Sequence, residues 1–318
     1  MNLNPVNLQE EKKKFFFDPE YNPQFIFEQV VPDGYLHEKY GEFGGELANE
    51  AKSILDQVIK KWSAESDYLA NVEGQILSRD ASTQIIKDYL LSCGLEDKVQ
   101  LHFSKNFIPR THIDGMTMNI RLPTEYREKG ISGMLHHEIG THVYRRLNDY
   151  EQIWVDKRKK FSLKDYLESE EGLATLHYYL DLEDKSLWIY ALQYYACFLA
   201  VTMSFSQVYA ELKPYIDDKE RRFKVTLRAK RGLADTSKAG GYTKDQVYLR
   251  GVKKISNWLK ENDFDTKRFY IGKIALEDID RVWQFNPAYT PKMPPFILND
   301  PESYKKNLQK ILKVNGFL

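Results

Sequence analysis

Three of the chain's seven histidines fall within seven residues, in Gly133-Met134-Leu135-His136-His137-Glu138-Ile139-Gly140-Thr141-His142. Two imidazoles around a glutamate, set in a helical pattern, can hold a zinc ion and keep a general base beside it. The common version, H-E-x-x-H, places its histidines four apart on one helix face. Here the nearest reading is H-E-x-x-x-H, with His137 and His142 five apart. In an ideal α-helix five residues turn the chain by about 500°, leaving the two side chains about 140° apart and unable to share a metal. A π-type turn of roughly 4.4 residues brings that offset down to about 50°. The spacing therefore predicts a π-bulged helix at Ile139-Gly140-Thr141, with glycine where the backbone must deform. Without the bulge, the motif is three histidines on a partly exposed helix.

A zinc site also needs a third protein ligand and an open position. The best source is Ser169-Glu170-Glu171-Gly172-Leu173-Ala174-Thr175-Leu176-His177, about thirty residues on, at the start of an apolar-periodic segment. Paired carboxylates at a helix N-terminus also complement the helix dipole, so residue type alone leaves their role open. His177 reads as a packed histidine beside the site before it reads as a ligand.

These two blocks, Leu135 to His142 and Glu170-Glu171-Gly172-Leu173-Ala174, resemble the microtubule-associated tyrosine carboxypeptidase family. A third block extends the match: Arg228-Ala229-Lys230-Arg231-Gly232, Asp235-Thr236-Ser237 and Lys244-Asp245-Gln246-Val247-Tyr248-Leu249. Order and spacing fit from about residue 100 to 255, with weaker likeness at Tyr21-Asn22-Pro23-Gln24-Phe25. The resemblance implies a helix-rich α+β, zincin-like metallopeptidase that binds one Zn2+ and removes a C-terminal residue. In eukaryotic members that residue is the terminal tyrosine of α-tubulin; bacterial relatives need not share the substrate. By position, His137, His142 and Glu171, rather than Glu170, would be the zinc ligands and Glu138 the general base. Zinc would polarise the scissile carbonyl and acidify a water, and Glu138 would pass that water's proton to the leaving amine. The oxyanion needs a further donor, for which Tyr248 is the candidate, with His177 behind it.

A carboxypeptidase must read a free α-carboxylate, and arginine's planar fork suits it. The chain is formally neutral, so no global field draws in an acidic partner. From Arg221 to Lys254, however, eleven cations face only two acids, Asp235 and Asp245. A charge run is usually a solvated face; beside a peptidase motif it is a candidate hold for an acidic peptide tail, with Arg228, Lys230 and Arg231 foremost. No nucleic-acid-binding motif accompanies it. An endopeptidase and a non-catalytic metal-binding scaffold are the alternatives, the second disfavoured because a structural site needs no base.

The remainder reads as scaffold. At 42% hydrophobic and 29% charged the chain is globular in composition. Residues 1–45 read as an N-terminal extension laid on the body, and 46–318 as one catalytic domain. Gly44-Gly45 precedes a helix from Glu46 to Trp62, a second helix runs from Ser82 to Cys93, and an amphipathic stretch from Pro301 to Leu312 closes the chain. Val99 to Phe103 and Met116 to Leu122 alternate as strands. By analogy with other zinc peptidases, Thr117-Met118-Asn119-Ile120 is the expected edge strand that pairs with substrate. Ser186 to Ala210 carries no charge, but its glutamines, serines and tyrosines favour a buried helix over a membrane span. There is no apolar leader, and the two cysteines form no disulfide framework, so a cytoplasmic setting is expected.

Overall fold

A computed structural model describes residues 3–107 and 109–318 of the chain. It is helix-rich, with one small three-stranded mixed sheet. Two compact units emerge, one formed by Met1–Asn71 with Leu187–Leu249, the other by Val72–Ser186 with Arg250–Leu318. The expected extension, residues 1–45, falls inside the first unit together with 46–71 and the chain around the basic block.

In the first unit, helix Ala48–Trp62 buries Ala51, Ile54, Leu55 and Val58, spaced three and four apart, against helix Trp188–Thr202. That second helix is apolar nearly all round because it is buried nearly all round, from Trp188 to Ala200. Among the described residues no helix is long and apolar enough to cross a membrane. The Phe15-Phe16-Phe17 run lies on helix Leu8–Phe17, and steps of about 100° per residue send its rings to different fates. Phe15 is buried with its ring centroid 5.2 Å from Phe205 and 4.7 Å from Tyr209, whereas Phe17 is 92% exposed.

The second unit holds the sheet: β1 (Gln100–Ser104), β2 (Thr111–Asp114) and β3 (Thr117–Arg121), in the order β1-β3-β2. β3 pairs parallel with β1 and antiparallel with β2, so both its edges are taken. The expectation that Thr117 to Ile120 offers an edge to substrate is therefore corrected. The free edge beside the motif helix belongs to β2, which packs against His136–Val143. β2 joins β3 through a tight turn at Gly115, whose φ of +58° suits glycine. Asp114-Gly115 is a hairpin signal in its own right, and it marks the strand that the alternation test missed.

From the sheet the chain enters α1 (Gly130–Leu135), which continues without a break into a π-helix, His136–Val143, and then into Tyr144–Asp149. The expected three-residue bulge is an eight-residue segment. α2 (Leu167–Tyr178) lies against the π-helix with all of Ser169 to Tyr178 buried. Two glycines set these distances. A Cβ on Gly133 would stand 2.0 Å from the carbonyl oxygen of Tyr178. One on Gly172 would stand 2.3 Å from the carbonyl carbon of Gly251, in the long helix α3 (Gln246–Glu261). The closing helix α4 (Pro301–Val314) starts with Asp300 accepting from the Ser303 amide and buries Tyr304, Leu308, Ile311 and Leu312.

Candidate active site

The π-helix does what the spacing requires. His137 and His142 come to one side of it with their ring centroids 5.0 Å apart. Opposite them, the second turn of α2 presents Glu171, whose Oε2 is 3.5 Å from His137 Nε2 and 3.6 Å from His142 Nε2. The three donor atoms lie within 4.8 Å of one another. Ligands about 2.0–2.1 Å from a tetrahedral zinc would be separated by roughly 3.4 Å, so the two imidazoles and the carboxylate suit that ion in kind and spacing. Two further observations fit a dication. Glu171 Oε2 is buried and has no hydrogen-bond partner among the described residues. Burial alone would lower the pKa of His142, yet Glu171 and Glu170 outweigh it and push it up to about 10. The two carboxylates thus draw positive charge to the point where the three donor atoms converge.

Successive helical residues point about 100° apart, and this separates the two glutamates. Glu170 turns away from the donor trio into a buried ion network. Its Oε1 accepts from His142 Nδ1 at 2.7 Å and from the Lys273 ammonium, and its Oε2 accepts from Arg145 at 2.9 Å. Burial would raise this carboxyl, but Lys273, then Arg145, hold it far below the usual carboxylate range. A carboxylate on one imidazole nitrogen fixes the ring and its tautomer, leaving Nε2 of His142 for a metal. Arg145 is itself clamped to the carbonyls of Phe269 at 2.9 Å and Ile274 at 2.8 Å.

The wide turn displaces backbone hydrogen bonds, and side chains satisfy what it frees. Thr141 Oγ1 donates to His136 O at 3.1 Å, and the Tyr270 hydroxyl donates to Gly140 O at 2.9 Å. His177 is wholly buried with both nitrogens engaged, Nδ1 with Thr141 Oγ1 and Nε2 with the Tyr304 hydroxyl, each at 2.7 Å. It braces the π-helix, with both ring nitrogens already committed to neighbouring hydroxyls. His136 faces elsewhere, its ring 4.1 Å from that of Phe296.

Glu138 is 7% exposed and, among the described residues, has no hydrogen-bond or ion-pair partner. Its carboxylate is among the charges acting on the Tyr126 phenol, whose pKa is raised first by burial. The three cations singled out from the sequence sit in the first unit and are engaged there. Arg228 grips Asp245 through two bonds of 2.6 and 2.8 Å. Arg231 lies 3.7 Å from the same carboxylate, with its guanidinium 4.0 Å from the Tyr242 ring centroid. Lys230 is buried and donates to the carbonyls of Ala200 at 3.0 Å, Lys238 at 2.7 Å and Met203. Tyr248 is half-buried in the same unit, its ring 5.0 Å from that of Tyr190.

Two histidines on a deformed helix and a glutamate on the helix packed against it, beside a small mixed sheet, fit a zincin-like fold. The sequence profile of the microtubule-associated tyrosine carboxypeptidase family matches residues 37–317. The chain belongs to that family. It is 33% identical to a protein of Mus musculus named putative tyrosine carboxypeptidase MATCAP2, across 98% of this chain and 61% of that protein. It is also 33% identical to microtubule-associated tyrosine carboxypeptidase 1 of Rattus norvegicus and of Homo sapiens, across 98% of this chain and 68% and 67% of theirs. The chain thus spans about three fifths to two thirds of these relatives' length.

Proposed function

We propose that the chain is a zinc-dependent carboxypeptidase that removes a C-terminal tyrosine from an acidic, tubulin-like peptide tail in the cytoplasm. His137, His142 and Glu171 would hold the ion, and Glu170 would keep His142 aimed at it. When bound, zinc would supply Lewis-acid polarisation of the scissile carbonyl and lower the pKa of an attacking water. Glu138 takes the proton from that water and returns it to the amine of the departing residue. The observation that carries this reading is the buried carboxylate of Glu138, without a hydrogen-bond or ion-pair partner among the described residues and next in the chain to His137 of the fitted donor trio. A purely structural metal site would have no use for it. The free edge of β2 gives the substrate backbone a strand to pair with, which orients the scissile bond across the site.

The test is zinc content of the purified protein together with mass spectrometry of an acidic peptide ending in Glu-Glu-Tyr. One zinc per chain and loss of the terminal tyrosine alone are expected. The Glu138→Gln variant should keep its zinc and release tyrosine at least about 10²-fold more slowly. Cleavage at internal bonds would point to an endopeptidase, and full activity in Glu138→Gln would remove Glu138 from the mechanism.

A further inference from the structure

Arg110 stands immediately before β2, the strand that flanks the π-helix. Its guanidinium has no carboxylate in ion-pair contact among the described residues, unlike Arg121, Arg145, Arg228 and Arg231. Its hydrogen bonds are long, 3.4 Å to the Tyr178 hydroxyl and 3.5 Å to the Glu125 carbonyl. Glu73, which accepts from the Tyr178 hydroxyl at 3.3 Å, acts on this charge from beyond that phenol, and the Tyr126 ring centroid lies 5.4 Å from Cζ. A half-buried guanidinium over an aromatic face, with only long bonds on its fork and no carboxylate in direct contact among the described residues, is suited to receive an anion.

Its location matches one anion in particular. The Tyr126 hydroxyl is 2.5 Å from Thr111 Oγ1, and the same phenol feels the charge of Glu138. Tyr178, the other neighbour of Arg110, lies seven residues beyond Glu171 on α2, about 10 Å along the helix axis. In a peptide losing its last residue, the terminal carboxylate is one residue from the scissile carbonyl, within about 4 Å. Metal contact on one side and a hydrogen bond of about 3 Å on the other put the required receptor roughly 9 Å from the ion, the scale of the rise from Glu171 to Tyr178. Direction agrees as well. A substrate strand added antiparallel to β2, the more stable pairing, ends at the Thr111 end, where Arg110 stands.

We propose that Arg110 receives the free α-carboxylate of the substrate peptide and thereby limits cleavage to the last residue. This rests on the carboxypeptidase reading. Arg228, Lys230 and Arg231 then serve the architecture of the first unit, and specificity for a chain end resides beside β2.

The experiment uses the full chain, zinc-loaded and carrying Glu138→Gln so that bound peptide persists. Affinities are measured for a peptide ending in Glu-Glu-Tyr as the free acid and as the C-terminal amide. The acid should bind about 10–100-fold more tightly. Adding Arg110→Gln should bring that ratio close to one by weakening the acid, with zinc content unchanged. Arg110→Lys, which keeps the charge without the fork, should retain part of it and serves as the comparison if the glutamine variant loses zinc. An undiminished acid-to-amide ratio in these variants overturns the proposal. If the unmodified chain still releases tyrosine, only the assignment of Arg110 fails. If it releases none and neither peptide binds, the carboxypeptidase reading fails and the assignment with it.

Discussion

Replacing Glu170 by glutamine tests whether the ion network behind the site sets metal affinity. The carboxylate is 3% exposed and faces two cations, Arg145 and Lys273, themselves 0% and 6% exposed. An amide has one accepting oxygen. Aimed at Arg145, it turns its NH2 on His142 and Lys273; reversed, it turns NH2 on Arg145. Either way a buried donor meets a donor, and two buried cations lose their counter-charge. Removing one partner of such a network costs about 3–5 kcal/mol. At about 2.1 cal/mol/K per residue of unfolding entropy, that lowers the melting temperature of the 318-residue metal-free chain by about 4–8 °C. Separately, loss of the carboxylate on His142 Nδ1 should weaken zinc binding about 10–100-fold, or roughly 1.4–2.7 kcal/mol. Thermal denaturation in chelator reads the first effect, and competition against a chromophoric zinc chelator reads the second. Zinc affinity equal to that of the unaltered chain would refute the argument that Glu170 orients the ligand, even if stability fell.

Gly172→Ala should be among the most damaging small substitutions. Its Cβ would sit 2.3 Å from one backbone atom of Gly251 and 2.5 Å from another, so α2 and α3 must part by roughly 1 Å. That overpacking costs about 1–3 kcal/mol or more, and because Glu171 is the preceding residue, zinc competition should show weaker binding as well. In the first unit, burial would raise Asp245, but Arg228 and Arg231 outweigh it and hold its carboxyl below the usual range. Its stabilising contribution is therefore complete above the unfolded carboxyl value and is lost as pH falls through the folded one. Asp245→Asn should destabilise the neutral protein by about 3–5 kcal/mol and converge with the unaltered chain in strong acid, as read by unfolding curves across pH 2–7.

The metal-donor geometry was legible in the sequence because the constraint there is local. A five-residue gap between His137 and His142 either breaks the site or widens the helix, and the helix is widened. The glutamate pair was harder, since 100° of rotation gives Glu170 and Glu171 different duties and only the position of the neighbouring helix says which faces inward. What supports the π-helix was not legible at all. Tyr270, His177 and Tyr304 are 130, 36 and 127 residues from the partners they brace. The basic block shows a related limit: a charge count cannot distinguish a solvated lysine from Lys230, whose ammonium is turned inward onto three carbonyls. Nothing in the sequence around Arg110 is unusual, and only the folded chain shows that no carboxylate lies in ion-pair contact with it among the described residues.

The eight-residue π-helix turns a question of length into one of rotation. Deleting Gly140 would restore the four-residue histidine spacing that an ordinary α-helix accommodates. Yet the same deletion would swing everything downstream by about 100°. Arg145, which holds two distant carbonyls and Glu170 at once, would leave all three. The surplus residue is therefore keyed into the fold at both ends. A chain with this layout reaches the commoner spacing only by rebuilding the contacts of the following helix in the same step, and the longer motif persists as a frozen register.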